Sequence, residues 1–110
     1  MYKLTDYEGK SERVRMAMLI DDTEESAGTI AAQIVDGFRD TTHFCNMTRI
    51  VLEDLDEEVL ARGIDVNDSI RGEIKSIYKR HLERGLKSAG FKDVQEVKRG
   101  GEFWFRFFKY

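Results

Sequence analysis

The chain has no proline and a single cysteine, Cys45, in 110 residues. Without proline, no segment is forced out of a helix by a locked φ or a missing N–H. One cysteine excludes an internal disulfide and fits a reducing compartment. Histidine is scarce as well: His43 lies two residues before Cys45, and His81 falls on an apolar stripe. Two histidines and one cysteine do not close a structural zinc site without carboxylates from elsewhere, so no metal and no cofactor are expected. A phosphate-binding glycine loop and a nucleophile motif are both missing. The expectation is a binding protein and not an enzyme. No apolar run reaches the ~20 residues that cross a bilayer, which argues against a membrane partner. Residues 1–6 lack the apolar core of a signal peptide. A cytoplasmic protein with one domain over residues 1–110 is expected.

What is present is charge and aromatic surface. Charged residues make up 35% of the chain, and seven Phe, four Tyr and one Trp supply large apolar groups for a modest core. The net charge of −3 conceals a division. Residues 1–70 carry 7 Lys and Arg against 16 Asp and Glu, and residues 71–110 carry 11 against 5. The halves are therefore −9 and +6, an asymmetry that points to a polyanionic partner for the basic part.

Hydrophobic spacing predicts an α+β, mostly helical domain with three to four helices and a C-terminal β-hairpin. Residues 1–10 are polar, with a turn signal at Glu8-Gly9-Lys10, and read as a loose arm or a short edge strand. Ser11 is placed to cap a helix running to Ile20, although Val14, Met16, Met18 and Ile20 alternate as in a strand. Asp22 with Glu25 three residues on resembles a capping box. Ala27, Ile30, Ala31, Ile34, Val35 and Phe38 then form one apolar stripe. Residues 43–53 read equally as a strand around Thr48–Leu52 or as the opening of a helix to Arg62, which Gly63 stops. The acidic block Glu53, Asp54, Asp56, Glu57 and Glu58 suits a solvated helix N-terminus.

The longest helix starts at Asn67 or Asp68. Ile70, Ile74, Ile77, Tyr78, His81, Leu82 and Leu86 recur at helical spacing. Gly85 on that side either allows close packing or ends the helix early, and Gly90 suits a left-handed cap. Gly100-Gly101 is a hairpin signal. It predicts that Arg99 faces Glu102, Val97 faces Trp104 and Val94 faces Phe107. Alternation puts Phe103, Phe105 and Phe107 on one face, against the stripe from Ile70 to Leu86. Trp104, Arg106, Phe108 and Tyr110 fall on the other. That second aromatic face has three readings: stacking on unpaired bases, a hot spot for a protein partner, or burial under the N-terminal arm or first helix.

A helix broken at Gly63, a second helix carrying Leu82-Glu83-Arg84-Gly85-Leu86, and a hairpin with the basic tip Lys98-Arg99-Gly100-Gly101 follow one another. In this order residues 55–110 resemble the winged helix-turn-helix family of DNA-binding domains. The resemblance implies that the second helix enters the major groove and that the hairpin touches DNA beside it. The cations such a surface would present are Arg71, Lys75, Lys79, Arg80, Arg84, Lys98, Arg99 and Arg106. The resulting expectation is a small regulatory protein that binds nucleic acid, duplex DNA by preference. The alternative is a protein-binding regulator or inhibitor acting through its acidic N-terminal half.

Overall fold

A computed structural model of the chain describes residues 1–50, 55–100 and 102–109. Its first element is a 3-10 turn, Leu4–Tyr7, in place of the expected loose arm or edge strand. Helix α1 follows, Glu12–Phe38. Ser11 caps it, its hydroxyl accepting from the Val14 amide. Where the spacing predicts two helices, with a fresh start at Asp22, one continuous helix forms. Nothing between Ile20 and Ala27 interrupts the ladder, since the stretch has neither proline nor glycine. Asp22 is consequently mid-helix and buried, and it serves another purpose. It accepts from the Tyr7 hydroxyl at 2.7 Å and the Tyr2 amide at 2.9 Å. The carboxylate thereby ties the N-terminal turn to α1.

Strand β1, Cys45–Arg49, helix α2, Leu55–Ala61, and helix α3, Asp68–Ser88, come next. The strand thus lies at Cys45–Arg49, earlier than the expected Thr48–Leu52, and α2 runs from Leu55; Val51, Leu52 and the acidic Glu53 and Asp54 lie outside the described residues. Gly63 ends the α2 region with φ of +72°, a conformation that disfavours a side chain. A Cβ there would also lie 2.7 Å from Arg15 Nη1. Arg15 donates to the Gly63 and Tyr7 carbonyls, both at 3.1 Å, and so joins the α2 end to the N-terminal turn. Asn67 is the cap of α3, its Oδ1 accepting from the Ile70 amide at 2.9 Å. Helices α1 and α3 run side by side in the same direction: Glu24 meets Arg80 and His81, Gly28 meets His81, and Val35 meets Gly85. Gly85 does not end α3. A Cβ on it would sit 2.9 Å from Val35 Cγ2, so the glycine is what lets the two helices approach.

Strands β2, Phe91–Arg99, and β3, Glu102–Lys109, complete an antiparallel sheet in the order β1-β3-β2. The last strand is therefore central. The expected pairs Arg99↔Glu102 and Val97↔Trp104 form, and the register continues to Gln95↔Arg106. It then shifts at a bulge, so that Lys92 faces Phe108 and the expected pairing of Val94 with Phe107 does not form. Asp93, at φ +52°, lies in that bulge. Phe105 and Phe107 are completely buried, against Leu82 and Leu86 of α3 and Ala31 and Val35 of α1. Phe103 is only partly buried at the rim of this cluster. The N-terminal part of the α3 stripe goes elsewhere than expected: Ile70 and Ile74 pack with Leu19, Val59 and Ile64 in a second cluster. Two ends of one helix thus hold two cores. No described helix is long and apolar enough to cross a membrane.

Phe105 is the centre of the first core. Phe105→Ala is expected to cost about 3–5 kcal/mol, read from the urea midpoint, and an unchanged midpoint would rule out the packing. A second expectation concerns Tyr7. Burial, reinforced by the bond to Asp22, pushes its phenol up to about 12. A value raised on folding means the contribution is complete below pH ~10, the ordinary tyrosine value, and is lost as pH rises toward 12. Tyr7→Phe should lower stability at neutral pH by about 1–3 kcal/mol through the unpaired Asp22 oxygen. It should also flatten the alkaline limb of stability against pH. An identical alkaline limb in both proteins would show that Tyr7 does not titrate in this way.

Candidate nucleic-acid interface

The eight cations singled out from the sequence do not gather on one helix-and-hairpin surface. Arg71 turns toward α2, donating to both oxygens of Asp56 at 2.9 and 2.7 Å and to Asp68 at 3.0 Å. The Arg71 guanidinium holds the Asp56 carboxyl below its usual range. Arg80 turns toward α1 and pairs with Glu24, whose other oxygen meets His81 Nε2. Burial pushes His81 down, and the Arg80 and Arg84 guanidiniums add to the effect. A neutral ring with its proton on Nε2 donates to Glu24 in this arrangement. Lys75 and Lys79 line the seam between α3 and β2. Lys75 Nζ lies 5.8 Å from the centre of the Phe103 ring, and Lys79 Nζ lies 3.8 Å from Glu96. Lys98 stands opposite Phe103 on the same seam, and Arg84 lies farther along α3. Arg99 and Arg106 are elsewhere again, on the opposite face of the sheet.

That opposite face reaches solvent: Cys45, Arg49, Gln95, Arg99 and Arg106 are exposed there, and Trp104, Phe108, Met47 and Val97 are half-buried. Strand alternation and the pairing register give its members. Trp104, Arg106 and Phe108 run down the central strand. Cys45, Met47 and Arg49 flank them on β1, and Lys92, Gln95, Val97 and Arg99 flank them on β2. Neither core cluster contains any of these residues. Among the described residues, neither the N-terminal turn nor α1 covers the face, in contrast to one of the readings above. Tyr110, expected on this face, lies outside the described residues. Phe44, just before β1, is 64% exposed, with its ring 5.6 Å from that of Phe108.

Cations and rings alternate across the surface. The Arg99 guanidinium lies 5.4 Å from the Trp104 ring centre, and that of Arg106 lies 5.8 Å from Phe108. Arg106 also donates to Gln95 at 2.6 Å. Glu102 brings a carboxylate to the rim, and it is fully engaged there. Trp104 Nε1 donates to one oxygen at 2.8 Å and Arg49 to the other at 2.9 Å. The Trp104 N–H, with Arg49 in support, holds the Glu102 carboxyl below its usual range. These contacts anchor the edge of the indole. Arg49 was not among the cations expected from sequence. The signal for it was the strand reading of residues 43–53, which says nothing about a pairing with a segment more than 50 positions away.

The acidic end of the molecule is different in kind. A cavity of about 310 Å³ between the three helices is lined by Asp22, Thr23, Glu58, Val59, Arg62 and Tyr78, among others. Asp22 takes the Tyr7 hydroxyl, and Arg62 Nη1 donates to the Glu58 backbone carbonyl at 2.8 Å while its Nε is buried without a hydrogen-bond partner among the described residues. Glu25 pairs with the Met1 amine at 2.9 Å. No group of three His, Cys, Asp or Glu side chains is arranged to hold a metal among the described residues. No family model matches the chain, and no curated protein and no solved structure matches it either.

Proposed function

We propose that this protein binds nucleic acid, and that the open face of its sheet is the working surface. The observation that carries this reading is the composition of that face. Arg49, Arg99, Arg106 and Lys92 stand among Trp104, Phe108 and Phe44, with the Glu102 carboxylate locked by two donors. Cations within reach of phosphates supply affinity that needs no sequence information. Lys75 and Lys98 extend the positive field along the α3 seam and steer a polyanion toward the hairpin. The order of helix, helix and hairpin in residues 55–109 supports the likeness to winged helix domains. The groove-reading role of α3 has less support, because Arg71 and Arg80 are committed to Asp56 and Glu24. The protein acts as a small non-enzymatic binder in this reading.

The test is a binding titration with duplex and single-stranded oligonucleotides over a salt series. Arg99→Glu with Arg106→Glu should weaken binding to every sequence. It should also flatten the slope of log affinity against log salt by about 1 unit for each phosphate that is no longer neutralised. Lys79→Gln with Arg84→Gln should change the slope less. The reverse order of effects would return the role to α3. If the wild-type chain binds no nucleic acid at low ionic strength, the reading is dead, and recognition of a protein by the acidic half takes its place.

A further inference from the structure

The geometry points to an unpaired strand as the ligand of the open sheet face, held by stacking of separated bases on Trp104 and Phe108. This rests on the nucleic-acid reading above and narrows it. The first argument is width. Three strands spaced about 4.8 Å apart set the outer two backbones about 10 Å from each other before side chains are added. A major groove about 12 Å wide admits one helix or a two-stranded ribbon. With Arg49 and Met47 on one flank and Arg99 and Val97 on the other, this face is broader than a ribbon.

The second argument is spacing. Trp104 and Phe108 are four residues apart on the same face of β3, roughly 13 Å along the strand. Successive bases in a duplex are locked about 3.4 Å apart along the axis, inside the stack. They cannot leave it to reach two such platforms. An unpaired strand can splay its bases onto aromatic rings. Arg106 lies between the two platforms, where the connecting phosphates would run, and Arg49 is the cross-strand neighbour of Trp104. Lys92 holds the same position beside Phe108. The Phe44 ring stands beside Phe108, tilted 52° to it, and adds a second aromatic surface there.

The third argument is preorganisation. Glu102 accepts from the indole N–H, so the Trp104 ring is oriented before any ligand arrives. Less freedom is then lost on binding. The Arg99 guanidinium over the ring is itself a stacking surface for a base.

Trp104 is the one tryptophan of the chain, so its fluorescence reports on this face directly. The experiment titrates the full chain with oligothymidine, with oligouridine and with a mixed-sequence duplex of equal length, and follows labelled strands by anisotropy in parallel. Either single strand should quench Trp104 and bind at least tenfold tighter than the duplex. A preference between the two would assign DNA or RNA within the same inference. Trp104→Ala and Phe108→Ala should each weaken single-strand binding by roughly fivefold or more, the lower end of the range for one stacked base. The salt slope should stay unchanged, because no cation is removed. Trp104→Phe should restore most of the affinity, which a loss of folding would not allow. Salt-dependent binding that favours the duplex and leaves Trp104 unquenched would overturn this inference while sparing the broader reading. Absence of binding to any nucleic acid would overturn both. A dimer in sedimentation that Trp104→Ala dissociates would assign the face to a second copy of the chain and overturn the inference as well.

Discussion

The rest of the structure depends on the burial of Phe105 and Phe107 in the central strand. Both rings are fully enclosed by Leu82, Leu86, Ala31 and Val35. Side chains of a strand alternate between faces, so these two positions decide the direction of every other residue in β3. A slip by one residue would bring Trp104, Arg106 and Phe108 inward and bury a guanidinium with no partner, at a cost far above any packing gain. Burial on one side is thus the same constraint that leaves Trp104, Arg106 and Phe108 outside. The open face is produced by the core and needs no separate device to hold it.

Electrostatics then divides the molecule's cations into two kinds. Those of α3 sit where α1, α2 and β2 present carboxylates, and Arg71, Lys79 and Arg80 are paired with Asp56, Glu96 and Glu24. Exposed pairs of this sort contribute little to stability, typically 0–1 kcal/mol each. Their larger effect is to reduce the positive field available to a ligand. On the open face Arg49 has a carboxylate partner in Glu102 and Arg99 lies beside the same carboxylate, whereas Arg106 meets a ring and a neutral amide. Trp104 lies under Arg99, and Phe108 and Gln95 attend Arg106. The contacts of Arg106 leave its full charge in place. Arg71, Lys79 and Arg80 of α3 are thus more closely matched by carboxylates than Arg106 of the hairpin is.

The parallel helices set the frame for both. Gly85 allows α1 to lie close on α3, and the shared direction gives each end of the pair its own cluster. The N-terminal ends gather α2 and the Tyr7–Asp22 contact. The C-terminal ends carry the sheet. Acidic residues and the basic hairpin are separated by this arrangement as well as by sequence.

The sequence by itself determined the local elements that local chemistry controls. Ser11, Asn67, Gly63 and Gly100 mark their boundaries because caps and left-handed turns need those residue types. The Phe103–Phe107 alternation and the stripe ending in Leu82 and Leu86 were legible for the same reason, since period and burial are linked. Tertiary structure decided what no local rule contains. It made Asp22 a buried acceptor for Tyr7 in place of a cap, because a distant hydroxyl and amide satisfied it. It divided one apolar stripe between two cores. It placed β1 beside β3, which brought Arg49 to Trp104 and made the last strand central. It also gave Arg71 and Arg80 their carboxylates. In each case the outcome depends on pairing between residues far apart in the chain, and such pairing is set by packing geometry and charge in three dimensions.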